Sequence, residues 1–173
     1  MCVILFNFSI SNAQKLKLEK LEQILNASLN DAEESLFLTG YSFLSEKEIP
    51  DSAGIIYTFS NRKKTIGTAK IVWKGVYYQE KAKSFVKYIT YDRREFEHLR
   101  KLMITNQFVR EDPENLAESS TYSKGNLRIN FEVTTDEYEN ITFVLTLNNI
   151  KAIEKAKEPK KITLRGLFKQ QEE

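Results

Sequence analysis

The chain has 173 residues, 41 % hydrophobic and 12 % aromatic, and its 26 basic and 24 acidic residues leave a net charge of +2. That composition belongs to a folded domain with a packed core and excludes disorder over the whole length. The near-neutral balance alone argues for neither nucleic acid nor an acidic partner. A single cysteine, Cys2, excludes intramolecular disulfides and cysteine metal clusters, and no apolar run reaches the ~18 residues of a membrane-spanning helix.

In chain order, Met1 to Ile10 form an uncharged apolar run, and Ser11-Asn12-Ala13 places small residues where a signal peptidase cuts. Residues 1–13 therefore read as the remnant of an export signal, with Gln14 as the mature start. No Lys or Arg precedes the run, and the other reading makes residues 1–13 a strand. A single α+β domain is expected over 14–149, followed by a basic tail at 150–173.

The domain opens with Leu18, Leu21, Ile24 and Leu25 on one helical stripe, and Asn30 as N-cap with Glu33 three residues on predicts a second short helix ending at Gly40. Tyr41 to Leu44 begin extended structure, and Pro50-Asp51-Ser52 turn the chain. Strands are predicted at 55–60, 65–73 and 84–90, with 61–64 and Lys74-Gly75 as turns; Val76 to Tyr78 extend one strand or start another. The third helix has the clearest signals. Asp92 is its N-cap, Glu95 at N3 completes a capping box, Tyr91 can staple onto Phe96, and Phe96, Leu99, Leu102 and Met103 share a face. Asn106 stands where a left-handed residue would end it. After a polar stretch around Asp112-Pro113, residues 126–134 and 140–147 read as a hairpin turned by Thr135-Asp136-Glu137. In the tail, Ile162 to Phe168 has the composition to dock as an edge strand or a recognition segment.

A weak repeat emerges. Leu38-Thr39-Gly40 matches Ile104-Thr105-Asn106 in character, and Tyr57-x-x-Ser60 matches Tyr122-x-x-Gly125. Each half would be a helix, a sharp stop and antiparallel strands, and neither could bury its apolar face alone. The predicted architecture is thus an antiparallel sheet with the helices packed on one side, built from two helix-then-strands pseudo-repeats.

Catalytic chemistry finds little support. The six glycines lack the spacing of a phosphate loop, no Gly-x-Ser-x-Gly elbow is present, and His98 is the only histidine, so no metal site or cofactor is expected. Glu95 would share a helix face with His98. The acidic clusters Glu111 to Glu114 and Asp136 to Glu139 read as solvated turns, with loop calcium as the sharper alternative.

The charge is unevenly spread. Residues 57–101 hold twelve basic and four acidic residues, whereas 111–145 hold two and eight. Aromatic rings interleave the basic stretch, and Lys70, Trp73, Lys74, Tyr77, Tyr78, Lys83, Lys87 and Tyr88 are the candidate ligand-binding residues, suited to an anionic glycan or an acidic protein. Alternation along strands gives the plainer reading, with rings inward and lysines in water.

Ser11-Asn-Ala-Gln14, the Lys/Glu/Asn-rich chain behind it and Leu38-Thr-Gly-Tyr-Ser-Phe43 resemble the small exported proteins of unknown function from Bacteroidetes. The resemblance implies a periplasmic or secreted location, where nucleic acid would be an improbable partner, and carries no activity. Asp51-Ser52-Ala53 is similar to the O-glycosylation motif such proteins carry. The expected function is an exported, non-enzymatic binding domain using a basic, aromatic sheet surface. The alternative is a cytoplasmic toxin-neutralising or regulatory protein acting through its acidic loops, and a carboxylate hydrolase or isomerase ranks third.

Overall fold

A computed structural model describes residues 16–50, 53–61, 69–79, 84–112 and 119–150. The expected signal remnant, the Asp51-Ser52 part of the turn, Lys83 and the tail from 151 onward lie outside the described residues. The fold is α+β, with three helices on a single antiparallel sheet of eight strands.

Helix α1 (Leu18–Asn26) buries Leu18, Leu21, Ile24 and Leu25, the stripe its spacing predicts. Helix α2 (Leu29–Phe37) starts two residues earlier than Asn30 implies. Ser28 is the N-cap, its hydroxyl accepting the Asp31 N–H at 3.2 Å from an extended backbone, so Asn30 already lies inside the helix. Its end is a Schellman turn: Gly40 adopts φ 86°, the Gly40 N–H donates to Phe37 and the Tyr41 N–H to Leu36, both at 3.0 Å.

Strands β1 (Ser42–Ile49), β2 (Gly54–Ser60), β3 (Ile71–Tyr77) and β4 (Phe85–Thr90) form the first half of the sheet. The Lys74-Gly75 pair, expected to turn the chain, runs through the middle of β3. A Cβ at position 75 would come within 2.2 Å of the ring of its cross-strand partner Phe85, so the glycine makes room for that ring rather than for a bend.

Helix α3 (Arg93–Thr105) is capped as predicted, the Asp92 carboxylate accepting from the N–H groups of Arg94 at 2.9 Å and Glu95 at 3.2 Å. Its stop shifts by one residue. Asn106 has φ −88°, and Gln107 takes the left-handed conformation at φ 61°. The hydrogen bonds repeat those of α2, with Gln107 N–H to Ile104 and Phe108 N–H to Met103.

Strands β5 (Val109–Arg110), β6 (Ser119–Lys124), β7 (Leu127–Thr135) and β8 (Ile141–Asn149) complete the sheet in the order β1-β2-β3-β4-β8-β7-β6-β5. In each half a helix, α2 or α3, closes in a Schellman turn and leads into a four-stranded meander, with α1 preceding α2 in the first half. The halves join where β4 pairs with β8, Tyr88 opposite Leu145. The expected hairpin is β7–β8. Strands β5 and β6 had no apolar alternation to announce them, since β6 reads Ser-Ser-Thr-Tyr-Ser-Lys.

All three helices cover one face. Tyr57, Phe59, Val72, Val86 and Tyr88 point into it from the first half, and Ile129, Phe131, Phe143, Leu145 and Leu147 from the second. Phe96 of α3 packs on the rings of Phe131 and Phe143 at 5.4 and 5.0 Å. At ~1.5–3 kcal/mol per buried large side chain, this two-layer core is the main stabilising term. No helix among the described residues is long and apolar enough to cross a membrane.

Candidate functional site: the open face of the sheet

The period of two in a strand separates the candidate residues of the basic stretch. Lys74 and Tyr88 point to the helices; Trp73, Tyr77 and Lys87 point to the opposite face. Lys83 lies outside the described residues.

On the helix side, Lys74 is 3 % exposed. Its ammonium donates to the carbonyl of Ile24 at 2.6 Å and that of Ala27 at 3.0 Å, with the Leu25 carbonyl at 3.5 Å. These are the unpaired carbonyls at the C-terminus of α1, where a cation is favoured. Burial pushes the Lys74 pKa down. Lys74 thus tethers α1 to β3, and its three donors are engaged. It also lines an open cleft of about 380 Å³ with Ser28, Tyr77, Tyr78 and Ser84. Tyr78, otherwise exposed, shares a 2.9 Å hydrogen bond with the Tyr57 hydroxyl, which together with burial raises the Tyr57 pKa to about 12.

Lys70 and Tyr88 meet on Glu95. This carboxylate does not turn back to close a capping box, nor does it accompany the exposed His98; it enters the core at 2 % exposure. Tyr88 donates to it at 3.0 Å, Thr90 at 3.2 Å, and the Lys70 ammonium sits 2.6 Å away. Tyr41 lies alongside Tyr88, its buried hydroxyl completing no hydrogen bond. Burial, reinforced by the Glu95 charge, pushes both tyrosines far above their ordinary value; the contact with Tyr88 partly opposes this for Tyr41. The Glu95 carboxylate, with Lys70, Tyr88 and Thr90 as its partners, forms a polar plug at the base of α3.

The open face is different. Ile56, Ile71, Trp73, Phe85, Lys87 and Ile89 alternate with the inward residues of β2, β3 and β4, are half-buried, and have no described helix over them. Lys87, the cross-strand partner of Trp73, places its ammonium 5.3 Å from the indole centroid, a cation–π pair. Tyr77 lies over Gly54, where an added Cβ would meet its ring at 3.0 Å.

Across the β4–β8 seam the same face turns polar. Thr121 donates to Asn130 at 3.3 Å, Asn130 to Glu132 at 2.6 Å, and Arg128 pairs with Glu111 at 2.7 Å. The open face is thus aromatic with Lys87 in the first half and polar in the second, while the other described basic residues of 57–101, Lys70, Lys74 and those of α3, lie on the helix side. Ile56, Ile71, Phe85 and Ile89 were missed by sequence reasoning, although their parity with Trp73 is a signal that identifies them once the strand bounds are known.

Within the acidic clusters Glu111, Asp112 and Asp136 are engaged in the fold, and Glu114 lies outside the described residues. Asp112 accepts the Thr121 N–H. Asp136 accepts N–H groups from Tyr138 and Asn140, each at 2.9 Å, and the Tyr91 hydroxyl at 3.0 Å; desolvation, the largest single influence, raises its pKa, but these bonds together hold it below the usual value. No group of three potential metal ligands occurs among the described residues. No family model, curated protein or solved structure matches the chain.

Proposed function

We propose that this chain is an exported, non-enzymatic binding domain that engages an anionic partner, in the first instance an acidic polysaccharide, through the open face of its first half. The observation that carries the reading is the Lys87–Trp73 pair at 5.3 Å, set in an apolar strip that no described helix covers. A flat ring with a cation over it suits a sugar ring bearing a carboxylate or sulfate, and the surrounding aliphatic side chains exclude water from the contact. Export rests on residues 1–13. Cleavage before Gln14 would leave the first described core residue, Leu16, in place. An acidic working face has less support, because Glu111, Asp112 and Asp136 hold the fold's own turns and strands together.

Trp73 is the only tryptophan, so its fluorescence reports directly on this face. Titration with heparin at low ionic strength is expected to change its emission saturably. Lys87→Ala should weaken binding roughly five- to tenfold, equivalent to about 1–1.4 kcal/mol, and added salt should weaken it further. Binding that is unaltered by Lys87→Ala, or no emission change at any heparin concentration, would rule the proposal out.

A further inference from the structure

The outer faces of the helices differ in charge. Helix α1 sets Lys20 beside Glu19 and Glu22, and α2 exposes Asp31, Glu33 and Glu34. Helix α3 is basic. Its inner side buries Glu95, Phe96, Leu99 and Met103, and at 3.6 residues per turn the outer arc holds Arg93, Arg94, Glu97, His98, Lys101 and Ile104. Arg93, Arg94 and Lys101 are exposed and make no ion pair among the described residues, whereas Glu97, the one carboxylate on the arc, is held by Arg100 at 2.8 Å. Together with His98 these side chains border an open groove of about 510 Å³.

Helix stability does not account for this placement. Arg93 and Arg94 stand in the first turn, where the helix dipole disfavours cations, and Arg94 is followed at i+4 and i+7 by His98 and Lys101 rather than by an acid. The make-up of the face distinguishes among anionic partners. No Trp, Tyr or Phe stands on the arc, so the ring platform that the Trp73–Lys87 pair offers a sugar is missing here. The cations are accompanied instead by an aliphatic side chain: Ile104, 74 % exposed, lies nearly in line with Arg93, about 16 Å along the helix. Guanidinium groups pair with lipid phosphate, and an aliphatic side chain among them can enter the boundary between headgroups and acyl chains.

We propose that the outer face of α3 docks the domain on an anionic phospholipid surface. The rest of the helix side sets the orientation. Helix α2, over β1 at the far edge of the sheet, is acidic and repelled by such a surface, so the domain meets it with α3 foremost. The open face lies on the other side of the sheet and stays accessible, and the docking stands whether or not that face binds polysaccharide.

Co-sedimentation of the full chain with vesicles at low ionic strength tests this. Binding is expected to mixed phosphatidylglycerol–phosphatidylcholine vesicles and not to phosphatidylcholine alone. At roughly fivefold per cation, Arg94→Glu/Lys101→Glu should lower the partition coefficient at least about twentyfold. Ile104→Ser should lower it by about fivefold. Glu97→Gln should raise it by about fivefold, a gain that damage to the fold would not produce. Lys87→Ala, on the opposite face, should leave it unchanged. No binding to the anionic vesicles, indifference to the Arg94/Lys101 charge reversal, or loss of binding in Lys87→Ala would overturn the docking face. Full binding by Ile104→Ser would overturn the assignment to lipid, since contact with a soluble polyanion does not need that side chain.

Discussion

The Glu95 carboxylate is 2 % exposed and satisfied by Lys70, Tyr88 and Thr90. Removing one member of a buried charged cluster leaves the others desolvated without partners, which costs more than the cluster contributes net. Glu95→Ala is therefore expected to destabilise the fold by about 3 kcal/mol in urea denaturation. Glu95→Gln, which keeps acceptor capacity for the hydroxyls, should cost less. Equal stability of Glu95→Ala and wild type would show that the cluster is not a structural plug. Sequence marked Glu95 as a third-position partner of Asp92 and as a helix-face neighbour of His98. Its inward turn depends on Lys70 and Tyr88, brought to it by β3 and β4, and no spacing rule within the helix reports that.

Helix ends show what local sequence can and cannot decide. Both α2 and α3 close with the same pair of backbone bonds around a left-handed residue, Gly40 in one and Gln107 in the other. A side chain at positive φ is strained by roughly 1 kcal/mol or more relative to glycine. Gln107→Gly is expected to raise stability by about 1 kcal/mol, seen as a higher urea midpoint, while Asn106→Gly, at φ −88°, should lower it or leave it unchanged. The reverse ranking would put the left-handed residue at 106. Asn tolerates that conformation better than Gln, which is why the sequence points to Asn106. The Phe108–Met103 closure decides otherwise, by seating Phe108 against the core as Tyr41 is seated after Gly40. Strands β5 and β6 were illegible for a related reason: only Ser120 and Tyr122 of β6 are buried, so its membership of the sheet is set by pairing with β7 rather than by its own hydropathy.

At the scale of the molecule, eight strands form one continuous sheet, so the titrations of both halves bear on one stability. Tyr41, Tyr57 and Tyr88 all hold their protons above the ordinary tyrosine value of 10.0. Above pH 10 the unfolded chain releases these protons and the native chain keeps them. The native state then binds more protons, and stability must fall as pH rises, by about 1.4 kcal/mol per pH unit for each of the two deeply buried rings. Lys74 acts with the opposite sign at lower pH. Its lowered pKa makes the native state lose a proton before the unfolded chain does, so stability rises with pH from that value up to 10.5 and then levels off. Urea midpoints measured between pH 8 and 12 should therefore drop steeply above pH 10. A flat profile would contradict the burial of these hydroxyls.

The division of the open face into an aromatic half with Lys87 and a polar half also belongs to this scale. The bipolar sequence led to the expectation of several lysines on it, of which Lys87 is the one described there. The geometry of the division needed the β4–β8 pairing, which places the two halves side by side in one plane.

By itself, the amino-acid sequence determined the α+β class, the stripes of α1 and α3, the Asp92 cap, the Gly40 stop and the β7–β8 hairpin. All of these are set by contacts within a few residues or by a periodicity repeated along one element. Only the tertiary structure decided which basic and aromatic residues share a face. A strand turns every second side chain to the opposite side, and one residue of error in its bounds exchanges the faces. Lys74 and Trp73, neighbours in the chain, accordingly end as a buried tether for α1 and as the open ring beneath Lys87.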